Sequence, residues 1–269
     1  MFRVRRLLAP FVLCIALLFS EAQAFTIAWL SDTQNYHNAY KPIFDGMTQW
    51  IADNRAALDI RFVFHTGDVV GRWSSEDQWR QARESMGILS NASIPFLVAC
   101  GNHDIGYRMN YANFLKYVLS LRPASMSQEY GDTGSRYELF SANGRDYIFM
   151  GIAFSNKGPS EDEVNWINGV LRQYSSRDAI IITHSYLKKS ASYTTQGKAI
   201  FEKIVKANPN VFLVLCGHCR DISYKNVQLD DDGDGDPDRT VYAILSNFQG
   251  SKAGGGGYMR ILDFRDSDI

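Results

Sequence analysis

The sequence predicts a layered α/β fold, because short apolar runs alternate with amphipathic stretches along most of the chain. The chain has 269 residues, of which 45% are hydrophobic and 21% are charged, as in ordinary globular proteins. This length suits one large domain or two small ones. Because no low-complexity linker or internal repeat interrupts it, we predict a single domain over residues 25–269.

Apolar runs and helical periodicity place the elements in chain order. Strands are predicted at 25–31, 61–65, 96–100, 147–152, 179–183 and 211–216. Helices are predicted between them at 40–53, 76–89, 107–119, 161–174 and 197–207. The last quarter predicts strands at 222–229, 240–246 and 258–264 without intervening helices. Ser160 followed by Glu163 predicts a helix start with a capping box.

Residues 1–24 have the pattern of a secretory signal peptide. Arg3, Arg5 and Arg6 precede an apolar core at 7–19, and Ala22 and Ala24 offer the small residues of a cleavage site. The core is too short to span a bilayer comfortably, so an uncleaved N-terminal anchor is the weaker alternative. We therefore expect a secreted or periplasmic protein with no membrane attachment after cleavage.

Charge and cysteine content narrow the expected partners. A formal net charge of -1 gives no electrostatic reason to expect nucleic acid or an anionic membrane as a partner. Four Cys are too few for a disulfide scaffold. Cys100 and Cys216 each end an apolar run and are expected to be buried thiols, whereas the pairing of Cys100, Cys216 and Cys219 is left open.

Polar side chains follow five of the predicted strands. They are Asp32, Asp68, the block Asn102-His103-Asp104, His184 and His218. Each has an ordinary structural explanation, such as helix capping by Asp. Together they predict a metal site assembled from loops, since ligands bind at the carboxyl ends of strands in open α/β sheets. Carboxylate, amide and imidazole donors suit Mn, Fe or Zn, and a bridging carboxylate would hold two such ions.

These ordered blocks resemble the calcineurin-like metallophosphoesterase superfamily over essentially the whole chain after residue 24. The blocks are Asp32, Gly67-Asp68, Gly101-Asn102-His103-Asp104, Thr183-His184 and Gly217-His218. The sequence Asp32-Thr33-Gln34 is similar to the first motif of a secreted bacterial branch. The resemblance implies a four-layer α-β-β-α sandwich and a phosphoric ester hydrolase with one or two divalent ions per chain.

The resemblance also implies a role for each residue of the site. The metal ligands would be Asp32, Gln34, Asp68, Asn102, His184 and His218. Hydroxide bound to the metal would attack a phosphomonoester or phosphodiester substrate. His103 would donate a proton to the leaving oxygen or orient the phosphate, and Asp104 would hold the ring of His103.

Two positions depart from the family pattern, which has His where this chain has Gln34 and Arg220. In one hypothesis, Gln34 with His37 or waters completes an oxygen-rich first metal site, and Arg220 grips the substrate phosphate. In the other, Arg220 pairs with Asp32 and replaces the first cation, which leaves a mononuclear enzyme. The alternative function is a catalytically impaired metal-binding or interaction module on the same fold.

An acidic turn near the end of the chain predicts a second type of site. Its candidate calcium ligands are Asp230, Asp232, Asp234 and Asp236. The spacing matches the start of a calcium loop, but Val241 stands where an EF-hand requires a bidentate Glu. A solvated hairpin tip is the alternative. A structural surface protein held by this calcium is the third functional class that we consider.

Other residues near the motifs are assigned more simply. Residues expected to line a substrate pocket are Arg72, Trp73, Tyr107, Arg108 and Tyr186. His65 lies within a predicted strand and is expected to be structural. Nothing in the sequence identifies the substrate beyond a phosphate ester.

Overall fold

The computed structural model describes residues 24–106, 109–121 and 127–265. The strands are β1 (Phe25–Leu30), β2 (Ile60–His65), β3 (Phe96–Val98), β4 (Ser127–Glu129), β5 (Arg136–Ala142), β6 (Arg145–Ile152), β7 (Asp178–Thr183), β8 (Val211–Cys216), β9 (Asp221–Leu229), β10 (Arg239–Asn247) and β11 (Arg260–Phe264). The helices are α1 (Lys41–Asn54), α2 (Glu76–Asn91), α3 (Asn102–Ile105), α4 (Ala112–Tyr117), α5 (Glu161–Gln173) and α6 (Thr195–Ile200). The predicted signal peptide lies outside the described residues, apart from Ala24.

The strands form two sheets. One has four strands in the order β11-β1-β2-β3, and the other has seven in the order β4-β5-β6-β7-β8-β10-β9. β1, β2 and β3 run parallel, as do β6, β7, β8 and β10. The parallel strands therefore bring their carboxyl ends to one edge of each sheet, which is where the predicted ligands follow them.

Three apolar layers hold the sheets and helices together. Phe44 of α1 and Trp79 of α2 are buried in the layer that covers the four-stranded sheet. Ile167 of α5 and Ile200 of α6 are buried in the layer on the seven-stranded sheet. A third layer lies between the sheets. The arrangement is the predicted α-β-β-α sandwich.

Aromatic rings fill the layer between the sheets. Phe62 and Phe64 of β2 each lie 4.8 Å, centroid to centroid, from the ring of Phe149 on β6. All three side chains are fully buried. Because such a site collapses poorly after truncation, Phe149→Ala would cost about 3–5 kcal/mol of folding free energy. This layer fixes one sheet against the other and so fixes the two groups of strand ends.

The structure differs from the predicted elements in two regions. The helix predicted at 107–119 is the shorter α4, and α3 lies before it. The sequence pattern does not predict strands β4 and β5. In β5, polar and apolar residues are mixed, and the strand includes the fully buried Arg136. A charged residue inside a strand hides the period-2 pattern by which a strand is recognised.

Ser160 and Glu163 interact at the start of α5, as the predicted capping box requires. The Ser160 side chain accepts a hydrogen bond from the Glu163 backbone N–H at 3.2 Å. The Glu163 carboxylate interacts with the Ser160 backbone N–H and also accepts a hydrogen bond from Ser135 Oγ. Ser135 Oγ in turn accepts the Ala153 N–H at 2.8 Å. The start of α5 is thereby tied to the end of β6.

Two further sequence expectations concern cysteines and membrane contact. Cys100 and Cys216 are buried as predicted, and Cys100, Cys216 and Cys219 are all free thiols. Within residues 24–106, 109–121 and 127–265, we find no helix of sufficient length and apolarity to cross a bilayer.

Candidate metal centre

Four donor atoms from four different loops converge at the ends of the strands. His184 Nε2 lies 3.2 Å from Asp68 Oδ2 and 3.0 Å from Asn102 Oδ1. His218 Nδ1 lies 3.1 Å from the same His184 nitrogen. The ligand atoms of Asp68, His184 and His218 are all within 4.8 Å of one another. The structure thus brings together four of the six predicted metal ligands.

The hydrogen bonds of His184 show which of its two ring nitrogens can offer a lone pair to this cluster. Nδ1 lies 2.8 Å from the Thr66 carbonyl oxygen, which only accepts, so Nδ1 carries the proton. In the neutral ring, Nε2 is then an acceptor that points at a carboxylate and an amide oxygen. A divalent cation would satisfy these electron donors together, and the mixture of imidazole, carboxylate and amide fits Mn, Fe or Zn.

Three residues of the site adopt left-handed backbone conformations directly after strands. Asp32, Asp68 and His218 have φ values of 51°, 54° and 66°. Non-glycine residues rarely adopt this conformation, which costs about 1–3 kcal/mol where it is imposed. The surrounding loops therefore hold these side chains in orientations that the local sequence alone would not favour.

Two glycines permit the loops to approach one another. A Cβ on Gly101 would lie 2.2 Å from the Asp68 backbone nitrogen, and a Cβ on Gly217 would lie 2.2 Å from Asp32 Oδ2. Both distances are shorter than any side chain tolerates without a shift. Glycine at these positions is thus required by the packing of the site rather than by turn formation.

Burial and charge shift the pKa values within the cluster in opposite directions. Burial by itself would lower the pKa of His184. The adjacent Asp68 and the nearby Asp32 carboxylates outweigh burial and raise this pKa to about 9. Burial would raise the pKa of Asp68, yet His184 and His103 hold it below its usual range. Burial together with the charge of His184 lowers the pKa of His218 to about 4. His218 is thus a neutral imidazole at neutral pH, whereas His184 would have to lose its Nε2 proton before that nitrogen could bind a cation.

His103 and Asp104 do not form the side-chain pair that the family resemblance implied. The His103 ring is exposed and donates from Nδ1 to the Gly71 carbonyl at 2.9 Å. Asp104 is fully buried and accepts the N–H groups of Val69 at 2.8 Å and Gly101 at 2.8 Å. The expectation that Asp104 holds the His103 ring is therefore wrong; Asp104 joins the two loops, and Gly71 orients the ring.

The first half of the predicted metal centre contains Asp32, Gln34 and Arg220. Asp32 is buried, and its carboxylate accepts hydrogen bonds from Ser31 Oγ and, at 3.2 Å, from the His218 N–H. Burial raises the pKa of Asp32 to about 7. Gln34 Oε1 and His37 Nδ1 are buried and have no hydrogen-bond partner among the described residues.

Arg220 does not take part in this half of the centre. Its side chain is exposed and lines a hollow with Asn247 and Phe248. The hypothesis that Arg220 pairs with Asp32 is therefore wrong, since Asp32 is bonded to Ser31 and His218 instead. The pair was expected because a buried Asp32 carboxylate would need a counter-ion, but burial raises the pKa of Asp32 to about 7 and two hydrogen bonds hold the carboxyl group, so Arg220 is not required.

A cavity of about 480 Å³ opens beside the four converging donors. Arg72 and Trp73 line it, as predicted, together with Asn102, His103 and His218. Tyr186 is buried away from this cavity, at 1% exposure, and Tyr107 and Arg108 lie outside the described residues. Sequence reasoning missed Phe154 and Asn156, which also line the cavity and follow β6. Their only sequence signal was their position after a predicted strand.

His65 is fully buried and bonded to Thr33 Oγ1 and the Gly67 N–H, in a structural role.

The acidic turn joins β9 and β10 and stands apart from the metal centre. The carboxylates of Asp230, Asp232 and Asp238 lie within 4.8 Å of one another and are exposed. Asp230 accepts the N–H groups of Gly233 at 2.6 Å and Gly235 at 2.9 Å. The turn is thus already held by its own hydrogen bonds.

Comparison with known proteins identifies the family to which this geometry belongs. A sequence profile described as calcineurin-like phosphoesterase matches residues 25–219, which include every residue of the converging cluster. The chain belongs to the calcineurin-like phosphoesterase family.

One curated relative and two solved structures illustrate the similarity. The chain is 42% identical over 244 residues to an uncharacterized protein YvnB of Bacillus subtilis, with 89% of this chain and 19% of that protein covered. The chain therefore spans about a fifth of the length of that relative. A dimetal phosphatase from Danio rerio matches with a TM-score of 0.56 at 15% identity, over 82% of this chain and 86% of the other.

The second structure is GAP50, the anchor in the inner membrane complex of Plasmodium. It matches with a TM-score of 0.55 at 17% identity, over 91% of this chain and 79% of the other. Identities at this level establish the shared fold and leave the function of this chain to its own residues.

Proposed function

We propose that this protein is a secreted, metal-dependent hydrolase of phosphate esters. The observation that carries the proposal is the convergence of Asp68, Asn102, His184 and His218 beside a cavity that His103 also lines. A divalent ion held by these four residues would polarise the phosphate and lower the pKa of water at the site.

The residues of the chain divide the remaining work. Asp68 Oδ2 and the two imidazoles would hold the divalent ion at the strand ends, and Asp68 Oδ1 accepts the His103 backbone N–H at 2.8 Å. This bond fixes the backbone of His103 relative to the metal ligands. Because the Gly71 carbonyl accepts the hydrogen bond from Nδ1, an imidazolium of His103 has its Nε2 proton free to protonate the leaving oxygen.

The first half of the centre is proposed to be a weak, oxygen-rich metal site. The buried and unpartnered Gln34 Oε1 supports this proposal, together with the buried carboxylate of Asp32. An amide oxygen is a poorer ligand than imidazole for Fe or Zn. We therefore propose that one ion is held tightly and that a second binds only at higher concentration.

The experiment that tests this function is hydrolysis of bis-p-nitrophenyl phosphate by chelator-stripped protein to which Mn is restored. Activity that requires Mn and is absent from His218→Ala supports the proposal. If the parent protein binds Mn but hydrolyses neither this substrate nor p-nitrophenyl phosphate, the interaction-module alternative replaces it. The altered first half of the centre is the observation that favours that alternative.

Two further proposals come from the sequence. We propose export with cleavage after Ala24, which intact mass measurement of the protein from the culture medium or periplasm would test.

For the acidic turn, calcium binding stays a sequence-based prediction. Calorimetric titration with calcium should then give a binding signal that Asp232→Ala removes, whereas no signal from the parent protein would indicate a solvated turn.

A further inference from the structure

Two cavities meet at the metal centre and form one groove through it. We call the first, of about 480 Å³, the leaving-arm cavity, because His103 lines it together with Arg72 and Trp73. The second, of about 300 Å³, we call the retained-arm cavity, and its lining includes Ser155, Lys188, Thr195 and Cys219. Both cavities share Phe154, Asn156 and His218. The metal ligand His218 therefore stands in the wall between them.

The groove continues beyond the retained-arm cavity. Lys188, Thr194 and Thr195 also line a third hollow, of about 420 Å³, whose other wall includes Lys198 and Glu202. Open space thus extends from the metal centre in two directions. The side with His103 supplies the proton donor that a leaving oxygen needs, whereas the metal ligand His218 is the one imidazole that the described residues place in the opposite side.

A phosphomonoester has one organic arm and would occupy only the leaving-arm cavity. A phosphodiester has two arms that diverge from a tetrahedral phosphorus, and a groove open on both sides of His218 accommodates both. We propose that the substrate is a phosphodiester whose retained arm carries an anionic group next to Lys188. This inference rests on the proposed function and specifies the substrate class of the same site.

The proposed negative charge on the retained arm of the substrate is inferred from Lys188. Its side chain is exposed, and it forms no ion pair with any described residue. The next residue, Lys189, is different, because its ammonium lies against Asp221 at 2.5 Å. Lys188 thus presents an uncompensated positive charge to the cavity, whereas farther out Lys198 stands beside Glu202.

The reaction is an ordinary hydrolysis in which atoms and charges balance. A water oxygen forms a bond to phosphorus while the bond from phosphorus to the oxygen of the leaving arm breaks. The electron pair of that bond stays on the leaving oxygen, which takes a proton from His103. The attacking water loses one proton and so restores His103 over the cycle. The products are an alcohol or phenol and the phosphomonoester of the retained arm.

The test compares three substrates that share p-nitrophenol as leaving group. They are p-nitrophenyl phosphate, p-nitrophenyl phenyl phosphate and p-nitrophenyl p-carboxyphenyl phosphate, and the last two differ only by a carboxylate on the retained arm. With Mn-loaded protein, we expect kcat/KM for the phenyl diester to exceed that for the monoester at least about tenfold, and the carboxylate to add about fivefold more.

Two variants locate the effect. Lys188→Met should reduce the ratio of kcat/KM for the carboxyphenyl diester to that for the phenyl diester about fivefold, to near one. Lys189→Met is the matched control and should leave this ratio unchanged, because Lys189 is already paired with Asp221. Thr195→Trp, at an exposed position in the wall of the retained-arm cavity, should lower the ratio of diester to monoester activity.

Binding of the expected product gives a readout that does not depend on turnover. By calorimetry, p-carboxyphenyl phosphate should bind more tightly than phenyl phosphate to the parent protein, and equally tightly to Lys188→Met. The inference is overturned if the monoester is the better substrate, or if Lys188→Met affects both diesters equally. Hydrolysis of none of the three substrates would instead contradict the proposed function itself.

Discussion

The two halves of the candidate metal centre differ in how many metal-donor atoms each brings together. In the half formed by Asp68, Asn102, His184 and His218, four donor atoms meet within hydrogen-bond distance and Thr66 fixes the tautomer of His184. In the half around Asp32, the carboxylate is held by Ser31 and a backbone N–H. Only the first of these halves therefore brings several metal donors together.

The largest expected effect comes from removing a ligand of the complete half. His184→Ala should reduce kcat/KM by about a thousandfold or more, because it removes the nitrogen on which the other three donors converge. Metal content measured after dialysis should fall in parallel. His37→Ala, which removes a half-buried imidazole outside that cluster, is the control and should retain both metal and most activity. Equal loss in the two variants would contradict the comparison of the halves.

The next effect concerns the glycine that lets the halves approach. Gly217→Ala should destabilise the protein by about 1–3 kcal/mol, because its Cβ would overlap Asp32 Oδ2. The matched control is Gly46→Ala in α1, where a Cβ has no atom within 4 Å and should add about 0.5–1 kcal/mol of stability. Urea unfolding of both variants measures the difference. A neutral Gly217→Ala would mean that the loops adjust freely and that the close approach is not required.

A smaller effect is expected from restoring a donor to the incomplete half. Gln34→His should tighten binding of a second Fe or Zn ion about tenfold, since imidazole is a better ligand than an amide oxygen for these metals. Metal titration with content determined by mass spectrometry would detect the change, and Gln49→His on exposed α1 is the control. If the parent protein already binds two ions with equal affinity, the two halves are equivalent and our distinction fails.

The smallest expected effect is on the pH dependence of stability, and it comes from Glu163, a buried carboxyl outside the metal centre. Burial raises the pKa of Glu163, although its bonds to Ser135 and the α5 N-terminus oppose the shift. A carboxyl with a raised folded pKa contributes stability below its unfolded pKa, and this contribution is lost as pH rises through the folded pKa. Glu163→Gln should therefore remove part of the decrease in unfolding free energy that begins as the pH rises above about 4.5, the ordinary pKa of this carboxyl. An unchanged pH profile would show that Glu163 is solvated.

Local sequence determined the strands, most helices and the ligand motifs of this protein. Strands such as β7 are continuous apolar runs, because parallel strands are buried on both faces, and this pattern is visible without a structure. Motif residues such as Asp68 and His184 were found because each directly follows such a strand. The order of the motifs was sufficient to indicate the family, which the profile match over residues 25–219 confirms.

Only the tertiary structure decided how those residues are paired. Gly71, rather than Asp104, orients the His103 ring, and Arg220 points away from Asp32. The groove between His103 and Lys188 joins loops that are 85 residues apart in sequence. The physical reason is that periodicity fixes which face of an element is buried, whereas the partner of a polar side chain depends on loops brought together by the packing of two sheets.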